Sequence, residues 1–333
     1  MINPIYSPAG DRYENGMKYR RCGKSGVLLP EISLGLWHNF GDVNTLANSM
    51  DMAHYAFDHG ITHFDLANNY GPSYGSAEET FGQIMKKSFR PYRDELFISS
   101  KAGFDMWPGP YGNWASRKYL MASLDQSLKR MNLDYVDLFY SHRFDPITPL
   151  EETMQALVDI VRQGKALYVG ISRYPKEAAE FAYKYLSDRD VPCLLYQGKY
   201  HILERGPEEE GILEQAKKQG VGFIGFSPLA QGLLTDRYLN GIPTDSRMAK
   251  DFHLKKDTLT DDMLRRLKGL NEIAAQRGQT LAEMALAWIL KNDLVTSVII
   301  GASSVKQLDD NLKSVQNISF SDEELAAIDE LSK

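Results

Sequence analysis

The chain has 333 residues and a formal net charge of −6, with 43% hydrophobic and 25% charged residues. This composition is typical of an ordinary globular protein, and the acidic balance argues against nucleic acid or an anionic membrane surface as a main partner. Cys22 and Cys193 are too few for a disulfide framework and lack metal-ligand spacing, so we expect a cytoplasmic protein without a metal. No apolar run reaches the length of a membrane span.

Strand and helix patterns alternate after an N-terminal extension of about residues 1–16 and a predicted short β-hairpin. Helical spacing over residues 45–59 ends at Gly60, a residue that suits the position after a helix. In "SAEETFGQIMKK", Ser76 and Glu79 predict a capping box at the start of the next helix. A long helical region over residues 261–291 is expected to break near "RGQT".

Eight strands are predicted, and they begin near residues 30, 62, 96, 136, 167, 193, 222 and 297. Continuous apolar strands such as "YVDLFYSH" are typical of a parallel sheet buried on both faces. So regular an alternation favours an α/β fold of the (β/α)8 TIM-barrel type over an open doubly wound sheet. We find no linker or composition break, so we predict a single barrel domain over residues 1–333.

Ionisable residues lie at the ends of three neighbouring predicted strands, where a barrel of this kind carries its chemistry: Asp65 with Tyr70, then Lys101, then His142. Each alone has a structural explanation, such as a loop cap, a packing ring or a satisfied histidine. Together they predict that Asp65 pairs with Lys101, because an unpaired buried cation is costly, and that Lys101 lowers the pKa of Tyr70. A tuned phenol beside a histidine that orients a carbonyl oxygen favours reduction of an aldehyde or ketone.

Carbonyl reduction needs a hydride that no side chain supplies, so a nicotinamide cofactor is expected. The "GVGFIG" at residues 220–225 is not a dinucleotide fingerprint, because it follows a predicted helix and runs into a strand. Small residues in "SPLAQGLLT" at 227–235 offer backbone amides to a pyrophosphate, and "GAS" at 301–303 opens the last barrel helix, where the helix dipole favours anions.

The ordered set of motifs resembles the aldo-keto reductase superfamily. The resemblance covers about residues 17–330 and is carried by "DLANNYG", "SKAG", "YSHR", "YVGIS", "SPLAQGLLTDRY" and "GASSVKQLDDN". "LGLWHNFG", "MWPGPYG" and "NGIPTDSRM" look most like the bacterial glyceraldehyde 3-phosphate reductases of this superfamily, kin of the potassium-channel beta subunits.

The resemblance implies a barrel that binds NADPH without a Rossmann fold, with Tyr70 as proton donor in a tetrad with Asp65, Lys101 and His142. It implies cofactor contacts from residues at most of the strand ends. These are Trp37, Asp65, Ser141, Ser172, Gln197, Ser227, Leu229, Gly232, Arg247, Gly301, Ser303, Gln307, Asp310 and Asn311.

One departure from the family pattern concerns the 2′-phosphate of NADPH. Many members carry Lys-Ser and a later Arg where this chain has Gly301, Ala302 and Gln307. Arg247 is then the candidate cation, as in the channel-subunit branch. His142 matches the enzymatic members, whereas the channel subunits carry Asn there, which supports active catalysis.

The expected partner is a small carbonyl compound. Trp37, Trp107 and Tyr111, with Trp114 nearby, predict an aromatic-lined substrate site. A predicted helix start at Ser116–Lys118 either binds a substrate phosphate, consistent with a triose phosphate, or is a solvated helix end. Glyceraldehyde 3-phosphate and methylglyoxal are the candidate substrates.

Two other functional classes remain at this stage. A Schiff-base aldolase would use Lys101 as its nucleophile, but this leaves the two phosphate-binding loops without a role. A cofactor-sensing regulatory subunit would bind NADPH with little turnover. Relatives in the superfamily form higher oligomers, so the resemblance is compatible with a homo-oligomer, although no long exposed apolar helix in the sequence identifies its contact surface.

Overall fold

A closed barrel of parallel strands forms the centre of the computed structural model, which describes residues 6–244, 246, 248–249 and 254–332. Within those residues the barrel has eight strands, and each pairs in parallel with its two neighbours around the ring in the order β10-β3-β4-β5-β6-β7-β8-β9. The strands are β3 (Ile32–Gly35), β4 (His63–Asp65), β5 (Phe97–Ala102), β6 (Val136–Ser141), β7 (Ala166–Ser172), β8 (Cys193–Lys199), β9 (Gly222–Phe226) and β10 (Val295–Ile300). The predicted TIM barrel is confirmed, and each strand begins within two residues of its expected start.

Helices surround the barrel, and their apolar faces pack against the outside of the strands. They are α1 (Leu46–Asp58), α2 (Ser76–Ile84), α3 (Arg117–Met131), α4 (Leu150–Arg162), α5 (Lys176–Ser187), α6 (Gly206–Glu209), α7 (Ile212–Gln219), α8 (Asp261–Gln276), α9 (Leu281–Leu290), α10 (Val305–Leu312) and α11 (Asp322–Ser332). A π-helical turn spans Met85–Phe89, and short 3-10 helices span Arg90–Glu95, Ala230–Gly232, Asp236–Tyr238, Lys256–Thr258 and Lys313–Gln316.

An antiparallel hairpin precedes the barrel, as predicted, and consists of β1 (Tyr19–Arg21) and β2 (Leu28–Pro30). In the hairpin turn, the Lys24 amide donates a hydrogen bond at 2.9 Å to the carbonyl of Gly220, which lies just before β9. The hairpin therefore closes the N-terminal end of the barrel, and Cys22 and Leu29 join the buried cluster inside it. The C-terminal strand ends form the open mouth at the opposite side.

The predicted helix boundaries are confirmed at Gly60 and near Thr280, but not at Ser76. Gly60 has a φ of 84° after α1, and the long helical region breaks as expected, with Thr280 and Glu283 forming a capping box at the start of α9. The capping box predicted at Ser76 is wrong. Gly75, with a φ of 92°, occupies the N-cap position instead, and the Ser76 hydroxyl donates to the Ser73 carbonyl at 2.8 Å.

Candidate active site

A buried ion pair lies at the mouth of the barrel. Asp65 is the last residue of β4 and Lys101 lies near the end of the adjacent β5, and Lys101 Nζ donates to Asp65 Oδ2 at 2.6 Å. The side chain of Asp65 is 2% exposed and that of Lys101 is 0% exposed, so bulk water solvates neither charge. Burial is the largest single influence and favours the neutral amine, but Asp65 and Tyr70 together outweigh it and raise the pKa of Lys101. Lys101 is therefore a charged ammonium group at neutral pH.

Tyr70 is the third member of this buried group. Lys101 Nζ lies 3.2 Å from the phenolic oxygen of Tyr70 and also donates to the Leu66 carbonyl at 2.5 Å. Burial raises the pKa of Tyr70, and the nearby Lys101 ammonium opposes this only in part. The expectation that Lys101 brings the pKa of the phenol below its ordinary value is wrong, because desolvation is the larger effect. Tyr70 is therefore fully protonated at neutral pH.

His142 lies beside this pair. Its ring centroid is 5.9 Å from that of Tyr70, in an edge-to-face arrangement, and 4.7 Å from that of Phe104. Burial lowers the pKa of His142 well below its ordinary range, and the positive charges of Lys101, Arg173 and Arg143 lower it further. His142 is therefore a neutral imidazole, and its Nδ1 has no hydrogen-bond partner among the described residues.

A chain of buried hydroxyl and imidazole groups supports Asp65 from inside the barrel. Ser99 Oγ donates to Asp65 Oδ1 at 2.7 Å, His63 Nε2 lies 2.9 Å from Ser99 Oγ, and His63 Nδ1 lies 2.8 Å from Ser33 Oγ. Because an ionised carboxylate only accepts hydrogen bonds, the Ser99 hydroxyl must donate to Asp65, and its oxygen accepts a hydrogen bond from His63 Nε2. His63 is then the Nε2–H tautomer, and Ser33 donates to its Nδ1.

Three of the predicted cofactor residues lie on strands β6 to β8 beside the tetrad. Gln197 Nε2 approaches Asp65 Oδ1 at 3.3 Å. Ser172 Oγ is buried and has no hydrogen-bond partner among the described residues, which leaves a hydroxyl available to a ligand's amide group. Ser141 Oγ already bonds to the Tyr174 hydroxyl at 2.8 Å.

The other predicted cofactor residues lie in the loops that follow β9 and β10. Ser227 and Gln231 have φ values of 55° and 62°, a left-handed conformation that is unusual for residues other than glycine and is concentrated at functional sites. Leu229 and Gly232 lie in the same loop. The residues after β10 are Gly301, Ser303, Gln307, Asp310 and Asn311. Arg247 lies outside the described residues.

In the second of these loops Gln307 Oε1 accepts hydrogen bonds from the amide and the hydroxyl of Ser303, both at 2.9 Å. Asp310 is ion-paired with Lys306 and Lys313 on the outer surface. Both groups would have to exchange these partners to contact a nucleotide.

The aromatic residues predicted to line the substrate site have different surroundings in the structure. The ring of Trp37 lies 6.3 Å from that of Tyr70, close to the tetrad, whereas Trp107 packs at 5.0 Å against Tyr119. Tyr111 is 54% exposed at the rim. Trp114 stacks on a charged side chain, because the guanidinium carbon of Arg143 lies 3.8 Å from its ring centroid.

The helix start at Ser116–Lys118 is confirmed, with Ser116 as the N-cap of α3. Arg117 forms an ion pair with Asp159 on α4, which supports the solvated-helix alternative over a phosphate site. Two arginines lie closer to the tetrad but have no role in the prediction: Arg143 directly follows His142, and Arg173 directly follows Ser172. Each arginine lies within two residues of the end of a barrel strand, β6 or β7, and this position was the available signal.

Comparison with known proteins identifies the family of this chain. Residues 31–333 match the family model described as the aldo/keto reductase family. The chain belongs to the aldo/keto reductase family. Among solved structures, a thermostable aldo-keto reductase, Tm1743, crystallised with the inhibitor epalrestat, is similar with a TM-score of 0.74 and 32% sequence identity. The match covers 95% of this chain and 100% of that one.

Two curated relatives indicate where in the family this reductase lies. It is 57% identical to an L-glyceraldehyde 3-phosphate reductase of Escherichia coli K12, over 94% of this chain and 92% of that protein. It is 37% identical to a probable voltage-gated potassium channel subunit beta of Arabidopsis thaliana, over 91% and 92% of the two chains. None of the helices in the part of the chain that the structure describes is long and apolar enough to cross a membrane.

Proposed function

We propose that this aldo/keto reductase reduces small aldehydes to alcohols with NADPH as the hydride source and Tyr70 as the proton donor. The observation that carries the proposal is the contact of the Tyr70 hydroxyl with the buried Lys101 ammonium, with His142 beside the same phenol. Glyceraldehyde 3-phosphate and methylglyoxal are the proposed substrates. The 57% identical relative, described as an L-glyceraldehyde 3-phosphate reductase, supports the first of them.

The residues at the mouth fit a nicotinamide cofactor. The buried, unpartnered hydroxyl of Ser172 and the amide of Gln197 would hold the carboxamide, and the left-handed loop at Ser227–Gly232 would hold the pyrophosphate. A bound NADPH would supply the hydride that the side chains lack. The assignment of the 2′-phosphate to Arg247 stays a prediction.

The side chains account for the proton. Tyr70 begins the reaction protonated, because its pKa is raised. As negative charge develops on the substrate oxygen, the phenol can transfer its proton there, and the resulting phenolate lies next to the ammonium of Lys101. Asp65 keeps that ammonium in place. The neutral imidazole of His142 can donate a hydrogen bond that orients the same oxygen.

The aldolase alternative conflicts with the ionisation of Lys101. A Schiff base forms from a neutral amine, and lysines that form one have a lowered pKa. Here Asp65 raises the pKa of Lys101, and the ammonium makes three hydrogen bonds to Asp65, Leu66 and Tyr70. Lys101 is therefore placed to stabilise a phenolate and is poorly placed to attack a carbonyl carbon.

The proposal is tested by replacing Tyr70 with Phe. We expect the variant to bind NADPH with nearly unchanged affinity, measured by fluorescence, and to lose at least about 10²-fold in kcat, which is the typical contribution of a general acid. NADPH oxidation is followed by absorbance with methylglyoxal, glyceraldehyde 3-phosphate and aromatic aldehydes. Tyr185→Phe is the matched control, because Tyr185 lies on α5 and bonds to Gln155, away from the mouth.

Two results would count against the proposal. Turnover by Tyr70→Phe close to that of the wild type would remove Tyr70 from the proton transfer. If the wild type binds NADPH but reduces none of the aldehydes, the proposed substrates are wrong, and either the chain is a cofactor-sensing subunit, in keeping with its 37% identity to a channel beta subunit, or its substrate is another compound.

A further inference from the structure

Arg143 is held rigidly at the mouth of the barrel, one residue after His142. Its guanidinium carbon lies 3.8 Å from the ring centroid of Trp114 and 4.3 Å from that of Phe104, so the planar group is stacked between two aromatic rings. Arg143 Nε donates to the Gly103 carbonyl at 2.7 Å, and Nη2 donates to Asn113 Oδ1 at 2.8 Å. The side chain is thus positioned before any ligand arrives.

Arg143 forms no ion pair with any described residue. The carboxylates of Asp105 and Asp145 act on its charge from beyond ion-pair distance, and their oxygen atoms accept hydrogen bonds from other donors. Asp105 accepts from Asn113 Nδ2, and Asp145 accepts from backbone amides that include that of Ala115. Arg143 Nη1 has no hydrogen-bond partner in the described part of the chain, so it is available to an external acceptor.

A second arginine without an ion-pair partner among the described residues lies near Arg143. Arg173 lies on the same Phe104 ring, at 5.5 Å from its centroid, and forms no ion pair with any described residue. Of the three cations Lys101, Arg143 and Arg173, only Lys101 forms an ion pair with a described residue, Asp65. Such a site attracts an anionic ligand.

The barrel topology separates Arg143 from the proposed phosphate sites of the cofactor. Arg143 follows β6, which lies directly across the ring from β10, whereas the proposed pyrophosphate and adenosine phosphate sites follow β9 and β10. On the near side, Phe104 joins Arg143 to the tetrad, since its ring also contacts His142 at 4.7 Å. An anion at Arg143 would therefore belong to the substrate.

We propose that Arg143 binds the phosphate group of a short phosphorylated aldehyde and so determines the preference for phosphorylated over neutral substrates. The inference rests on the proposed function and identifies its substrate class. In a triose phosphate, two carbon atoms and the ester oxygen separate the carbonyl carbon from the phosphorus, so a carbonyl group at His142 would carry its phosphate only a few atoms away, and the ring of Phe104 contacts both His142 and Arg143. Planar guanidinium groups bind phosphate oxygens through charge-assisted hydrogen bonds.

The test compares glyceraldehyde 3-phosphate with unphosphorylated glyceraldehyde in wild type, Arg143→Gln and Arg143→Lys. We expect Arg143→Gln to lower kcat/KM for the phosphorylated substrate by about 10- to 100-fold relative to the neutral one, as expected for loss of a hydrogen bond to a charged group. Arg143→Lys keeps the charge without the planar fork and should lose less. Arg162→Gln on the outer helix α4 controls for the loss of one positive charge.

Calorimetry with glycerol 3-phosphate provides a readout that does not need turnover. We expect binding to the wild type in the presence of NADP+ and at least about tenfold weaker binding to Arg143→Gln. If neither aldehyde is reduced, the proposed function fails, while the calorimetric comparison still decides the role of Arg143.

Three results would overturn the inference. An unchanged ratio of the two kcat/KM values would show that Arg143 does not contact the phosphate. An equal loss for both substrates would show that Arg143 only fixes the loop between β5 and α3. A change of the ratio in Arg117→Gln, rather than in Arg143→Gln, would move the phosphate to the start of α3.

Discussion

At the residue scale, the buried charge of Lys101 depends on a single carboxylate. Replacing Lys101 by Met would leave the Asp65 carboxylate buried, with Ser99 and Gln197 as its remaining side-chain donors among the described residues. Because an unpaired buried charge is strongly destabilising, we expect the free energy of unfolding to fall by about 3–5 kcal/mol. Urea denaturation followed by circular dichroism measures this change.

The double variant Lys101→Met with Asp65→Asn separates stability from catalysis. It contains neither buried charge, so the free energy of unfolding should return most of the way to that of the wild type. Reduction should remain absent, because the group that stabilises the Tyr70 phenolate is gone. If the single variant Lys101→Met is as stable as the wild type, Asp65 tolerates burial without its ion-pair partner.

At the element scale, the close approach of α2 and α3 depends on a glycine. A Cβ atom on Gly82 would lie 2.1 Å from the Arg130 carbonyl oxygen, which is backbone and cannot move aside. Alanine is the better helix former by about 1 kcal/mol, but the clash should outweigh this gain. We expect Gly82→Ala to lower the free energy of unfolding by roughly 1–3 kcal/mol, the usual cost of overpacking.

Gly269 in α8 provides the matched control for this substitution. The contacts there are the two methyl groups of Leu331, at 2.9 and 3.0 Å, and they belong to a flexible side chain in α11. Gly269→Ala should therefore be neutral or stabilising in the same thermal or urea unfolding experiment. If Gly82→Ala and Gly269→Ala destabilise the protein equally, the packing at these two positions does not differ in the way that the contacts suggest.

The elements were predictable because their signals are local. Alternating helical spacing and apolar strands identified the eight barrel strands, and parallel strands bring their ends to one mouth, so the contact between Asp65 and Lys101 followed from chain order. The cap at Gly75 was missed because its left-handed backbone is set by the preceding turn.

Other features of the site depend on tertiary structure. The raised pKa of Tyr70 depends on how deeply the assembled barrel buries the phenol, a quantity that residue spacing does not contain. The position of Arg143 depends on Asn113 and Trp114, which are distant along the chain and reach it only through a folded loop. The sequence shows that Arg143 follows His142, but not that its guanidinium lacks an ion-pair partner among the residues that the structure describes.

At the scale of the whole molecule, buried neutral histidines make folding sensitive to acid. Burial lowers the pKa of His63 to about 4 and that of His201 to about 3, and it lowers the pKa of His142 well below its ordinary range. Below a pH of about 6.5 the unfolded chain binds protons at these positions that the native state does not bind. Stability should therefore be unaffected by them above that pH and should fall as the pH drops towards 4.

His201 allows this dependence to be measured at one position. Both of its ring nitrogens are buried without hydrogen-bond partners among the described residues, so Phe should replace the imidazole without leaving a polar group unsatisfied. Between pH 6.5 and pH 5 a neutral buried histidine costs roughly 2 kcal/mol of stability, from about 1.36 kcal/mol per unit. Between pH 6.5 and pH 5 we therefore expect the free energy of unfolding of His201→Phe to fall by about 2 kcal/mol less than that of the wild type.

The measurement is urea unfolding of wild type and His201→Phe at pH 8 and pH 5. The pair at pH 8 reports the packing change alone, because His201 is neutral in both the native and the unfolded state there. Acid titration of the carboxylates is common to both proteins and cancels in the comparison. If the two proteins lose equal stability between pH 8 and pH 5, His201 accepts a proton in the native state, and a water or ion must reach its ring.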